Sequence, residues 1–188
     1  MSRKAAFIDR DGVLNEERAF VHRIEDFVFV PGAVEALRAL KSAGYALVVV
    51  TNQSGIARGL YSEADYLALT GHMRELLAAE GIGLDAVEYC PHLPDAPVAH
   101  YRLECDCRKP KPGMLRKAIR TLDVEPGASF LVGDRLSDIE AGRAAGIGRC
   151  FLVRTGYPLL AEAVARADGV FDDLLACERA VLGAAVQP

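Results

Sequence analysis

An α/β fold on a doubly wound, mainly parallel sheet is predicted by three observations. Short apolar runs alternate with amphipathic stretches along the whole chain. The runs are continuous rather than alternating in polarity, as strands buried on both faces require. Several of them end in Asp or Thr, at the strand ends where ligands bind in open α/β sheets.

In chain order, Lys4–Ile8 is the first strand-like run. The connection Gly12–Val30 is long for a strand-to-helix link, and long connections in compact domains are usually functional or disordered. Gly32–Ala43 follows Pro31, sets Val34, Leu37, Leu40 and Lys41 at helical spacing and stops at Gly44. Ala46–Val50 is the second strand. Ser62–Glu80 is a helix opened by Ser62 and Asp65 in a capping-box arrangement and closed by Gly81. Leu84–Tyr89 is the third strand, and Pro91–Lys111 is an aperiodic stretch containing Pro91, Pro94, Pro97 and Pro110. The helix Pro112–Leu122, the strand Ser129–Val132, the helix Ser137–Ala145 and the strand Arg149–Val153 continue the alternation. Helices at Leu159–Arg166 and Asp172–Leu182 complete it. No repeat, low-complexity tract or linker divides the chain, so one domain over residues 1–188 is expected.

The 188 residues are 51% hydrophobic and 26% charged, which supports a buried core and excludes disorder. Twenty-two Lys and Arg against 26 Asp and Glu leave a net charge of -4 without a basic block, so neither nucleic acid nor a membrane surface is an expected partner. The longest clean apolar run, Ala46–Val50, is too short to span a bilayer. Only Ala5–Ile8 separates Arg3 and Lys4 from Asp9, which is no signal-peptide core. A cytoplasmic protein acting as a monomer is expected.

The chemistry gathers at strand ends. Phe7-Ile8-Asp9-Arg10-Asp11-Gly12 puts two carboxylates at i and i+2 beyond the first strand, where they can share a divalent cation while Gly12 lets the chain turn away. Taken alone, this is equally a solvated acidic turn. The second strand runs into Thr51-Asn52-Gln53-Ser54-Gly55, whose hydroxyl and backbone N–H groups suit phosphate oxygens and which in isolation is an ordinary polar turn. The fourth strand ends in Gly133-Asp134, with Asp138 placed to cap or support the next helix. Three carboxylates on one rim repel unless a cation lies among them, and Mg²⁺, which takes oxygen ligands, fits. In Arg108-Lys109-Pro110-Lys111-Pro112-Gly113, Pro112 suits a first helical residue, and a lysine could neutralise the acidic rim or remain simply solvated.

Five cysteines, an odd number in a chain without an export signal, argue against a disulfide framework. Cys90-x-His92 and Cys105-x-Cys107 form two pairs flanking one aperiodic loop. Three thiolates and an imidazole are a structural Zn²⁺ set, and the tight C-x-C spacing indicates a loop clamp over residues 90–111 rather than a nucleic-acid-reading finger. Cys150 and Cys177 read as packing residues.

Asp9-Arg10-Asp11-Gly12, Thr51, Lys109 and Gly133-Asp134, in that order, resemble the four motifs of the haloacid dehalogenase (HAD) superfamily of phosphotransferases over essentially the whole chain. The resemblance implies a Rossmann-like fold with Asp9 as the nucleophile that forms an aspartyl-phosphate and Asp11 as acid, then base. Thr51 and Lys109 would hold the transferring phosphoryl oxygens. Mg²⁺ would be bound by the carboxylates of Asp9 and Asp134 and the backbone carbonyl of Asp11. There is no room for a cap domain between Asp11 and Thr51 or between Thr51 and Lys109. The metal loop runs straight into Arg108-Lys109, which suggests a small phosphorylated substrate whose second anionic group Arg108 grips.

A narrower resemblance is to the heptose bisphosphate phosphatases. It is carried by Val21-His22, the run Thr51–Gly59, Cys90-Pro91-His92, Cys105-Asp106-Cys107-Arg108-Lys109-Pro110 and Val153-Arg154-Thr155-Gly156. It implies hydrolysis of the 7-phosphate of a heptose 1,7-bisphosphate on the way to ADP-heptose and lipopolysaccharide. Substrate contacts are implied from Thr51, Asn52, Gln53, Ser54, Arg108, Lys109 and Arg135, and from the segment before Val21. That segment reads Glu17-Arg18-Ala19-Phe20, where relatives often carry an Asp/His/Gly/Tyr-like run, and Lys111 stands where a histidine is common. The alternative is a histidinol-phosphate phosphatase, whose substrate has one phosphate and an amine. A remote alternative from another class is a zinc-dependent binding module, against which the acidic balance and the complete catalytic set argue.

Overall fold

The structure is a computed structural model that describes residues 3–184. Six strands, all parallel, form one sheet in the order β3-β2-β1-β4-β5-β6: β1 Ala5–Ile8, β2 Ala46–Asn52, β3 Ala86–Cys90, β4 Phe130–Gly133, β5 Arg149–Val153 and β6 Gly169–Phe171. The helices are α1 Ala33–Ser42, α2 Ser54–Ala57, α3 Glu63–Ala79, α4 Gly113–Leu122, α5 Leu136–Ala145, α6 Ala161–Arg166 and α7 Leu174–Ala184. The strand order reverses at β1, so the crevice between β1 and β4 is the switch point at which ligands bind in such sheets.

Alternation along each strand divides the core in two. Ala6, Ile8, Leu47, Val49, Phe130 and Val132 pack against α1, α3 and α7 through residues such as Leu37, Met73 and Cys177. Ala5, Phe7, Val48, Val50, Leu131 and Cys150 face α4, α5 and α6 through Leu115, Ile139 and Ala163. This is the doubly wound arrangement. Cys150 and Cys177 are buried packing residues. The segments between Asp11 and Thr51 and between Thr51 and Lys109 build no cap domain.

Several boundaries differ from those expected. β2 continues two residues beyond Val50, because Thr51 and Asn52 pair with Tyr89 and Cys90 of β3. Cys90 therefore stands on a strand end rather than on the loop. Pro112 is the N-cap of α4 and not its first residue. Gly113 follows because a Cβ there would lie 2.5 Å from the Asp106 carbonyl, to which its own N–H donates. β6 and α2 escape sequence reading: three and four residues respectively are too short to show a period. The Ser62–Asp65 capping box at the start of α3 is present in both directions.

Candidate active site

Asp9 follows β1 directly, Thr51 lies at the end of β2, and Asp134 follows β4, so three carboxyl ends meet at one rim. Lys109 reaches the rim from the segment before α4. Its ammonium lies 3.0 Å from Asp9 Oδ1 and 2.6 Å from Asp138 Oδ1, and it donates to the Val50 carbonyl at 2.9 Å. All these side chains are buried. Burial works against the Lys109 charge, but Asp138 and Asp9 outweigh it and hold the ammonium protonated, above its ordinary value. Asp138 also accepts from the Arg135 N–H at 3.0 Å, which is its expected capping role.

Oxygens of Asp9, Asp134 and Asp138 lie within 4.8 Å of one another. Burial raises the Asp9 carboxyl well above its ordinary range, with Lys109 opposing and Asp138 and Asp134 adding to the rise. Burial, then Asp138, pushes Asp134 up to about 6. Asp134 Oδ1 is buried without a hydrogen-bond donor. One ammonium thus faces three buried carboxylates, a set that a hard divalent cation fits. The Asp134 side chain is packed in by glycines: a Cβ on Gly156 would lie 2.0 Å from Asp134 Oδ2, and one on Gly12, at φ +81°, 2.6 Å from the Gly156 Cα. Asp134 Oδ2 accepts from the Tyr157 N–H at 2.9 Å.

The Asp11 carboxylate is turned away from that cluster. Its Oδ1 accepts from Arg10 Nη2 at 2.8 Å and Asn15 Nδ2 at 3.1 Å, and its Oδ2 from Gln53 Nε2 at 3.0 Å. Arg10, only 1% exposed, also donates to the Val21 carbonyl at 2.7 Å and so joins Asp11 to the loop above it.

Two of the expected substrate contacts are already committed within the protein. The Asn52 amide makes reciprocal bonds with the backbone of Lys109, both at 3.0 Å, and thereby places the lysine. The Gln53 amide spans Asp11, Thr51 Oγ1 (2.8 Å) and the Tyr61 hydroxyl (2.6 Å). Thr51 Oγ1 accepts from Gln53 and keeps its own proton to donate.

A cavity of about 370 Å³ opens above these groups. Asp9, Asp11, Thr51, Asn52, Gln53, Ser54, Arg108, Lys109, Asp134 and Arg135 all border it, as do Glu17 and Phe20. Arg18 and Ala19 do not: Arg18 is exposed and paired with Glu16 at 2.6 Å, while Ala19 and Phe20 take the left-handed conformation that turns the loop. Burial raises the Glu17 carboxyl. Sequence reading missed Arg58, Tyr61, Ser137 and Tyr157 on the wall. Arg58 belongs to the Thr51–Gly59 string and could have been found there. Tyr157, whose ring lies 3.6 Å from the Arg135 guanidinium, carried no local signal.

Beside the cavity, Cys90, His92, Cys105 and Cys107 converge into a group that could hold a metal ion. The Sγ–Sγ separations are 3.1, 3.3 and 3.5 Å, and Nδ1 of His92 lies 3.4 and 3.7 Å from Cys107 and Cys90. Tetrahedral bonds of about 2.3 Å imply edges near ~3.8 Å, slightly wider than these. The contact with Cys90 holds the Cys107 thiol down to about 5, while Cys107 and burial push Cys90 up. Arg108 Nη1 donates to the His92 carbonyl at 3.4 Å, so the loop and the cavity wall share a contact. The loop is moored by Tyr101, whose hydroxyl donates to Glu63 at 3.0 Å. Lys111 is exposed, 3.5 Å from Glu104, and does not border the cavity. Among the described residues no helix is long and apolar enough to cross a membrane.

The HAD-hydrolase-like family model matches residues 106–177. A D-glycero-β-D-manno-heptose-1,7-bisphosphate 7-phosphatase of Photorhabdus laumondii is 49% identical over 179 residues, 95% of each chain. One of Escherichia coli K12 is 48% identical over 177 residues, 94% of this chain and 93% of its own. A crystal structure of D,D-heptose 1,7-bisphosphate phosphatase from B. bronchiseptica with magnesium and phosphate superposes with a TM-score of 0.82 at 36% identity, covering 96% of this chain and 99% of that one.

Proposed function

The chain belongs to the heptose 1,7-bisphosphate 7-phosphatases of the HAD-like hydrolases, and from that membership we propose how its residues divide the reaction. The enzyme is a phosphatase acting on a heptose 1,7-bisphosphate and releasing the 7-phosphate. Both named relatives act on the β anomer, which we take as the substrate here. The observation that carries the substrate reading is the distribution of cations. Lys109 is paired with Asp9 and Asp138, whereas Arg58, Arg108 and Arg135 line the same cavity with no ion pair to a carboxylate among the described residues. One cation set serves the reacting phosphoryl group and leaves guanidinium forks for the second phosphate.

Asp9 is the nucleophile. Its Oδ1 is held by Lys109 and by the Arg10 N–H at 2.8 Å, which orients the carboxylate toward the cavity. The Asp9 oxygen forms a bond to phosphorus as the bond to the sugar oxygen breaks. That oxygen leaves with the electron pair and takes a proton from Asp11. Thr51 donates its hydroxyl, and Lys109 its ammonium, to the equatorial phosphoryl oxygens. Asp11, then ionised, accepts a proton from the water that cleaves the aspartyl-phosphate and restores Asp9. Mg²⁺ would be held by the carboxylates of Asp9 and Asp134 and the backbone carbonyl of Asp11, with Asp138 behind them, and would supply charge neutralisation to the phosphoryl group. The convergence of three thiols and one imidazole supports Zn²⁺ in the loop, where it would fix Arg108 through the His92 backbone. The five cysteines form no disulfide, in accord with a cytoplasmic setting, and a single chain supplies the cavity lining, in accord with a monomer acting on a small sugar.

The test is kcat/KM with Mg²⁺ for both anomers of the bisphosphate and for histidinol phosphate. A preference of about a hundredfold, ~2.7 kcal/mol, for a heptose anomer is expected. Comparable rates on all three would overturn the substrate reading. Asp9→Asn should abolish phosphate release while bound zinc is unchanged; substantial turnover would overturn the nucleophile.

A further inference from the structure

We propose that Tyr61 is a positioning residue for the leaving-group step: its hydroxyl fixes the Gln53 amide, and that amide holds Asp11 where it delivers its proton. The inference rests on the assignment of Asp11 as the acid.

Hydrogen-bond chemistry allows only one direction along this chain of contacts. Thr51 keeps its hydroxyl proton for the phosphoryl group and so accepts here, and Gln53 therefore presents its NH₂ on this side in both protonation states of Asp11, whose Oδ2 lies 3.0 Å away. The same NH₂ reaches Thr51 Oγ1 at 2.8 Å. The amide carbonyl then faces Tyr61, which must be the donor across 2.6 Å. Burial pushes the phenol above its ordinary value, so it retains the proton this requires. Gln53 is 2% exposed and Tyr61 7%, leaving little room for water to take over the bond. With the hydroxyl removed, nothing on this side distinguishes the two amide orientations. The flipped one aims a carbonyl oxygen at the Asp11 carboxylate.

The fold makes room for this contact. A Cβ on Gly55 would lie 2.1 Å from Tyr61 Cε1, so the ring reaches Gln53 only because residue 55 is glycine. The ring also stacks on His22, centroids 4.8 Å apart and planes within 5°. His22 closes the loop that brings Glu17 and Phe20 to the cavity rim, and Arg10 joins the same loop to Asp11 at the Val21 carbonyl. Asp11 is therefore held from two sides, by Arg10 and by the Gln53–Tyr61 pair.

The experiment compares the sugar bisphosphate, whose alkoxide must be protonated as it leaves, with p-nitrophenyl phosphate, whose phenolate need not be. The readout is kcat/KM, which reports formation of the aspartyl-phosphate. Tyr61→Phe and, as a second variant, Gln53→Met are measured beside Asp11→Asn, with bound zinc and thermal unfolding followed for each. Tyr61→Phe and Gln53→Met should lose about tenfold more on the bisphosphate than on p-nitrophenyl phosphate, and Asp11→Asn more still. Equal losses on both substrates in Tyr61→Phe and Gln53→Met, with Asp11→Asn still selective, would overturn this inference alone. A non-selective Asp11→Asn would overturn the acid assignment and this inference with it.

Discussion

Lys109 Nζ stands 3.0 Å from Asp9 Oδ1, and both side chains are buried at the junction of β1 and β2. The contact joins residues a hundred positions apart and makes the lysine both the counter-charge of Asp9 and a brace of the sheet rim.

Lys109→Met should therefore damage folding and turnover together. Removing the ammonium leaves Asp9, Asp134 and Asp138 as buried carboxylates without a cation, at a cost of about 3–5 kcal/mol. Activity should fall at least about a hundredfold. Because a divalent cation can replace part of the missing charge, Mg²⁺ should recover more stability in the variant than in wild type. Urea titrations with and without Mg²⁺ measure this, and an equal Mg²⁺ effect on both proteins would refute it.

Cys107→Ser removes the thiol held most strongly in its thiolate form. Bound zinc, read by atomic emission, should fall from about one equivalent to a small fraction of that. The loop should lose its hold on Arg108, so kcat/KM for the bisphosphate drops with it. A zinc-free variant with normal kinetics and an unchanged Tm would contradict the clamp.

Gly156→Ala places a methyl where the Asp134 carboxylate now stands, 2.0 Å from Oδ2. Asp134 must move, and the apparent affinity for Mg²⁺ should weaken by about tenfold. The Mg²⁺ dependence of phosphate release tests this while zinc content serves as a check on the fold. An unchanged Mg²⁺ titration would mean that Asp134 is not a ligand.

Asp85 lies far from the site and gives a pH prediction. Its carboxylate accepts from Arg3 and Lys41, each at 2.8 Å, and from the Leu47 N–H at 2.9 Å. Burial acts to raise its pKa, but the Lys41 and Leu47 bonds prevail and lower it. A lowered folded-state pKa contributes stability above the unfolded value of about 3.9, lost as pH falls through the folded value. Asp85→Ala should cost about 2 kcal/mol at pH 6, and the gap to wild type should narrow below about pH 4. A gap of the same size at pH 3 would show that ionisation of Asp85 is not its source.

The carboxylates at the rim were legible because each sits directly after a strand, and an apolar run followed by Asp is a local pattern. Asp138 was legible as a cap but not as the partner of Lys109, since capping is settled within four residues and the ion pair spans 29. Asn52 and Gln53 border the cavity, and their amides also bond Lys109, Asp11 and Tyr61, a supporting role the sequence did not disclose. Nothing in a linear string tells whether an amide's partner is a ligand or a distant backbone. Arg18 entered with its neighbours and left on the outside, paired with Glu16, because two left-handed residues turn the loop after it.

By itself the sequence determined the fold class, the rim on which the carboxylates stand and the four residues that gather into the Cys/His group, because strand burial, helix period and capping act over a few residues. Only the tertiary structure decided which oxygen of Asp11 meets Gln53, that Tyr61 stands behind Gln53, and that Tyr157 carries Arg135. Those relations depend on how β1, β2 and β4 are registered and how the loops between them turn. A shift of a few ångströms, invisible in any local pattern, makes or breaks a hydrogen bond.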